Sequence, residues 1–208
     1  MSKLKLEALF KNFCKKNKFE INNSQIKVIS SLSNFLNFKK NFLSSLFKKK
    51  RKLCYYLFGD VGVGKTMILN FVYDQINVKK HRIHFNEFMI SFHNFKHNHN
   101  NYKDKPIQLF AKNLGKKYEL IYLDEFQVTN IVDAMILGKL FEEIFLENIM
   151  IIITTNSKLD DLYKNGLQRE QFLPFISIIK NNSIQQELSI KDDYRIKNLD
   201  KSQRIFFP

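Results

Sequence analysis

Few folds can accommodate the stretch Phe58-Gly59-Asp60-Val61-Gly62-Val63-Gly64-Lys65-Thr66. From Gly59 it fits G-x-x-x-x-G-K-[ST] in full. It lies between a β-rich apolar run, LCYYLFG at 53–59, and a run with helical spacing, KTMILNFVYDQI. Glycines let a backbone turn so tightly that consecutive N–H groups point at phosphate oxygens. The helix that follows adds the positive end of its dipole. This order predicts a nucleotide-binding stretch formed by Gly59, Asp60, Val61, Gly62, Val63, Gly64, Lys65, Thr66 and Met67. Lys65 would reach the β- and γ-phosphates, and Thr66 would offer its hydroxyl to Mg2+.

The remaining pattern supplies a matching frame. Strands are expected at 53–59, 82–85 (RIHF), 118–126 (YELIYLDEF), 149–156 (IMIIITTN) and 183–190 (SIQQELSI). Between them come the helix after the glycine loop, NEFMISFHNFKH, IQLFAKNL ending at Gly115, NIVDAMILGKLFEEIF, and QREQFLPFISIIK interrupted by Pro174. Strands alternating with helices predict a three-layer α/β domain with a mainly parallel sheet. Residues 1–50 read as an N-terminal helical extension, with Ser24 capping its stronger helix, and 51–190 as the core. KKKRK at 48–52 is an exposed linker and 98–106 a polar, mobile loop. The stretch 191–208 is a short tail without clear period.

Chemistry is expected where strands end. Asp124-Glu125 closes the apolar run LIYL, and carboxyl ends of strands are where open α/β sheets bind ligands. Asp124 would be a Mg2+ partner through water, and Glu125, the next acid, the general base for an attacking water. IIITTNS puts Asn156 at the end of another buried strand. There it either senses the γ-phosphate and water or caps the next segment. Arg169, on the segment leading away from that strand, is either an arginine finger for a neighbouring subunit or a surface residue. His93 and His97 stand one helical turn apart, with no neighbouring carboxylate or Cys in sequence to complete a metal shell, and read as a polar helix end.

Composition narrows the partners. The net charge is +14, which suits nucleic acid, but of 34 basic residues only five are Arg: Arg51, Arg82, Arg169, Arg195 and Arg204. With Lys, Asn, Ile and Phe all abundant, the charge reads as a Lys-rich solvated surface from an AT-biased genome. An Arg that persists in such a chain marks places where a planar, bidentate cation is required. Cys14 and Cys54 have no redox or metal spacing and suit reduced thiols in a cytosol. No apolar run approaches the roughly 20 residues that span a bilayer. The N-terminus has no apolar h-region; its Lys-rich amphipathic pattern would suit a mitochondrial presequence, against which Glu7 and the absence of early Arg argue.

The blocks YLFGDVGVGKTMILNFVYD, HRIHFNEFMISFHN, LIYLDEFQVTNIVDAMILGKLFEEIF, TTNSKLDDLYKNGLQREQFLPFI and DDYRI resemble, in order, those of the ZapE-like cell division ATPases. These are P-loop ATPases of the AAA+ type with mitochondrial lactation-elevated relatives. The resemblance implies a sheet in the order 5-1-4-3-2, Mg2+-dependent ATP binding and hydrolysis, and nucleotide-dependent homo-oligomers. It also implies a role at the division ring, acting on FtsZ near the inner membrane. The position of Arg169 matches the family's arginine finger. The family loop usually reads G-R-G-K-T, and Val63 removes whatever that Arg side chain contacts. Family members continue well past the D-Y-R block, so the lid with its second sensor Arg is expected to be absent. Two other functions stay open: a nucleotide switch with little hydrolysis, and a helicase-loader-like ATPase that binds single-stranded DNA.

Overall fold

The computed structural model describes residues 3–37, 51–99 and 105–189. The 191–208 tail lies outside these, as do most of the 48–52 linker and of the 98–106 loop. Five strands form one sheet: β1 (Cys54–Phe58), β2 (Lys80–His84), β3 (Leu120–Asp124), β4 (Met150–Thr155) and β5 (Ser183–Glu187). Their order is β2-β3-β4-β1-β5 and every pairing is parallel, which is the expected 5-1-4-3-2 order seen from the other edge. β3 and β4 are buried along their whole length. Continuous apolar runs such as LIYL and MIII arise because both faces of a central parallel strand are covered. The edge strand β5 is buried at Ser183 and half-buried or exposed from Ile184 to Glu187.

Helices α3 (Lys65–Gln75), α4 (Phe85–Asn98), α5 (Pro106–Lys117), α6 (Ile131–Leu146) and α7 (Leu173–Asn182) flank the sheet on both sides. Two more, α1 (Lys3–Lys16) and α2 (Asn23–Asn37), precede β1. Leu6, Phe10 and Cys14 of α1 and Val28, Ile29 and Leu32 of α2 are fully buried in the same core as the sheet.

Several boundaries differ from expectation for local reasons. Asn22, not Ser24, caps α2: its Oδ1 accepts from the Ser24 N–H at 2.7 Å. Helix α5 does not stop at Gly115 but runs to Lys117, because packing against α6 outweighs the cost of about 1 kcal/mol for an interior glycine. Pro174 does not interrupt a helix. It sits in the first turn of α7, where a missing N–H breaks no bond. Strands β3 and β5 are shorter than predicted, ending at Asp124 and Glu187.

Two features of the fold bear on the site. Phe126, two residues past the end of β3, is buried, with ring centroids 4.2 Å from Phe85 and 5.6 Å from Phe175. Its N–H donates to the Thr154 carbonyl at 2.7 Å, so the turn after Asp124 is pinned by packing and by β4. At the start of the glycine loop, Gly59 has φ +154°, and a Cβ there would lie 2.1 Å from the Leu188 carbonyl oxygen. Gly59→Ala is therefore expected to lower the urea midpoint by the equivalent of about 2–4 kcal/mol. An unchanged midpoint would mean that the chain after β5 moves away freely.

Candidate functional site

The carboxyl ends of β1, β3 and β4 lie side by side, with Phe58 opposite Thr155 and Leu123 opposite Ile153. The loops leaving them enclose a cavity of about 430 Å3 lined by Gly62, Lys65, Thr66, Asp124, Glu125 and Asn156, among others. Val61, Gly64 and Met67 also line it, so six of the nine expected loop residues face this space. Gly59 and Asp60 contribute carbonyls behind it, and Val63 turns down into the core. Gly64 caps α3 in the left-handed region at φ +91°, where an L side chain is strained.

Lys65 is the best-held group. Its ammonium donates to the Gly59 carbonyl at 2.7 Å, the Asp60 carbonyl at 2.7 Å and Asn156 Oδ1 at 2.9 Å. Burial lowers its pKa, and the Asp60 and Asp124 charges oppose that shift. Asn156 thus joins β4 to the glycine loop across 91 residues of sequence.

Asp124 is almost fully buried. Its Oδ1 accepts from Thr154 Oγ1 at 2.6 Å and from the Glu125 N–H at 3.1 Å, and its Oδ2 from Arg82 Nη2 at 2.5 Å. Burial alone would raise its pKa, but the bonds from Thr154 and Arg82 outweigh that and hold the carboxyl below its usual range. Glu125 is placed differently. Its φ of +53° is unusual for a residue with a side chain. That turn leaves the carboxylate 80% exposed at the cavity, with Oε2 3.8 Å from His84 Nδ1.

Arg169 does not line the cavity. It lies in a short 3-10 turn, Arg169–Gln171, and donates through Nη2 to the Asp160 carbonyl at 2.7 Å. Among the described residues no three His, Cys, Asp or Glu side chains gather where they could hold a metal ion. His93 Nε2 pairs at 2.7 Å with Asp133 of α6, a carboxylate that sequence proximity did not reveal, and His99 Nδ1 meets the Phe95 carbonyl. Two residues unassigned in sequence join the site. Arg82 binds Asp124, and Gln25 of α2 is buried with its amide nitrogen 3.3 Å from where a Gly64 Cβ would stand. The scarcity of Arg was the one signal that could have singled out Arg82.

The donor set fits a magnesium nucleotide. The glycine loop and Lys65 lining the cavity suit phosphate, and the Thr66 hydroxyl with the Asp124 carboxylate supplies the hard oxygen donors that Mg2+ prefers.

The sheet order, the glycine loop between β1 and α3, and the paired acids ending β3 define a P-loop NTPase of the AAA+ type. The profile of the AFG1-like ATPase family matches residues 9–208, and the chain belongs to that family. It is 37% identical over 164 residues to lactation elevated protein 1 homolog B of Danio rerio, covering 74% of this chain and 33% of the relative. It is 34% identical over 154 residues to the cell division protein ZapE of Escherichia coli K12, covering 74% of this chain and 41% of ZapE. The chain therefore spans less than half the length of these relatives. Similar solved structures include AMPPCP-bound DnaA from Aquifex aeolicus, with a TM-score of 0.56 at 18% identity over 92% of this chain and 56% of DnaA. The DnaC helicase loader gives 0.53 at 17% identity over 81% and 92%. At such identities the likeness concerns the fold.

Proposed function

We propose that this chain is the ATPase core of an oligomeric machine that binds Mg-ATP, hydrolyses it and remodels a protein partner. The observation that carries this reading is the meeting of Lys65, Thr66, Asp124, Glu125 and Asn156, from three separate strand ends, around one cavity. Lys65 exchanges its neutral carbonyl partners for charged phosphate oxygens, and charge-assisted bonds of that kind are roughly twice as strong as neutral ones. Thr66 and, through water, Asp124 would hold a Mg2+, which would supply positive charge to offset that developing on the phosphates. Glu125 is suited to take the proton from the attacking water because its carboxylate is exposed at the cavity while its backbone is fixed by Asp124 and Thr154. Asn156, fixed on Lys65, is the residue to orient that water or to sense the γ-phosphate.

Arg169 is proposed as a finger reaching a neighbour's nucleotide. Its place outside its own cavity supports a role in trans. Arg169→Ala should leave ATP affinity within twofold and reduce assembled turnover by ~10³-fold or more. Mixing it with Glu125→Gln subunits should restore part of that turnover. Failure to restore would argue against a finger in trans.

Following the ZapE relative, the partner is proposed to be a division protein such as FtsZ, with the chain in the cytoplasm or peripheral to the inner membrane. The lactation-elevated relative supports a mitochondrial setting instead. No described helix is long and apolar enough to cross a membrane. Phosphate release with and without FtsZ polymer tests the partner, and stimulation severalfold above the basal rate is expected. The loader-like fold and the +14 charge favour one other reading, single-stranded DNA binding, which would appear instead as stimulation by DNA that fades steeply with salt.

A further inference from the structure

Thr66 and Asp124, the two residues assigned to the metal, stand on separate elements. Thr66 opens α3, which follows β1, while Asp124 ends β3, and β4 lies between those strands. One side chain bridges them. Arg82, on β2, places Nη2 at 2.5 Å from Asp124 Oδ2 and Nη1 at 2.6 Å from Asn70 Oδ1. Asn70 lies on α3, one helical turn beyond Thr66. The guanidinium carbon sits 5.0 Å from the centre of the Tyr122 ring, which gives the fork a flat wall.

From this geometry we infer that Arg82 is a positioning residue for the metal. It fixes the Asp124 carboxylate relative to the helix that carries Thr66. A carboxylate oxygen has two lone pairs. Oδ1 accepts from Thr154 and Glu125 and Oδ2 from Arg82, with the Tyr122 hydroxyl also acting on the carboxyl. Arg82, held at the same time by Asn70, therefore sets the plane of the carboxylate that would meet a water on the ion. A Lys could supply the charge but not two donors held in one rigid plane. Only five of the 34 basic residues are Arg, and this one lies where two carbonyl-type oxygens on different elements must be held at once. Mg2+ affinity of the nucleotide complex should then depend on Arg82 and, through it, on Asn70.

This inference rests on the Mg-ATP reading of the site, and one titration separates the two. The full chain is loaded with a fluorescent ATP analogue in EDTA, then titrated with Mg2+, with thermal melting of each apo variant alongside. Wild type should bind the analogue in EDTA and bind it more tightly as Mg2+ is added. Arg82→Lys should bind within twofold of wild type in EDTA but need roughly tenfold more Mg2+ for half the effect, the size expected when a group supporting a metal ligand is lost. Asn70→Ala should shift the Mg2+ midpoint in the same direction by a smaller factor, and the double variant no further than Arg82→Lys. Should Arg82→Lys melt early, Asn70→Ala carries the test. Mg2+ midpoints within twofold of wild type in both variants, or an equal loss in EDTA and in Mg2+, would overturn the positioning role. No Mg2+ effect in wild type would overturn the reading of the site itself.

Discussion

Lys65→Ala is expected to weaken ATP binding by roughly 10²-fold and to remove hydrolysis. The ammonium gives all three donors to Gly59, Asp60 and Asn156, so its place is set before any nucleotide arrives. Exchanging neutral acceptors for phosphate yields hydrogen bonds to charged groups, worth about 1.5–3 kcal/mol each. The alanine variant loses those bonds and leaves two loop carbonyls and the Asn156 amide without their shared donor. Isothermal titration with ATP in Mg2+ checks the affinity. Because Lys65 also ties Asn156 to the loop, a modest fall in apo melting temperature should accompany it. Wild-type ATP affinity in Lys65→Ala would mean that the glycine loop does not hold the phosphates.

Glu125→Gln should separate binding from turnover. The amide keeps the size and the left-handed backbone at φ +53°, and it leaves the bonds from the Glu125 N–H to Asp124 and Thr154 intact. ATP should therefore bind as in wild type. Only the proton acceptor is lost, and general-base catalysis typically supplies 10²–10⁴-fold, so phosphate release should slow by about that factor. Bound ATP should persist, and oligomers that depend on it should accumulate in light scattering or sedimentation. Near-normal turnover would remove Glu125 as the base, while weak ATP binding would mean that its carboxylate serves the fold.

Both predictions rest on residues that the linear sequence displays. The glycine loop is contiguous, and its chemistry follows from backbone conformation over eight positions, so no tertiary contact was needed to find it. Asp124-Glu125 and Asn156 were legible because each ends an apolar run long enough to be a buried strand, and parallel strands bring their carboxyl ends together. Sheet order followed from the family blocks and matches the observed one. What the sequence concealed was pairwise and long-range. Arg82 meets Asp124 across 42 residues and His93 meets Asp133 across 40, and no periodicity encodes such partners. Local competition misled in smaller ways. Asn22 and Ser24 are both good caps, and only the folded turn shows which oxygen faces the free N–H groups. Pro174 is as compatible with starting a helix as with breaking one, and burial of Phe172 and Phe175 around it decides in favour of a start.

Val63 illustrates how a departure from the family loop can leave the cradle unchanged. The side chain points into the core and is nearly buried, while Val61 beside it is 81% exposed at the loop tip. The backbone N–H groups that would meet phosphate are independent of either side chain, so the substitution is expected to spare the cradle and to lose only what an Arg side chain there would contact.

The most direct test of hydrolysis at this site is the rate of phosphate release from ATP per chain, measured in Mg2+ across a hundredfold range of protein concentration, with Lys65→Ala as the blank. A rate that exceeds the blank and rises per chain with concentration is the predicted result, as the proposed supply of Arg169 by a neighbour requires. Phosphate release indistinguishable from Lys65→Ala at every concentration, with ATP still bound, would contradict hydrolysis and leave a nucleotide-binding switch.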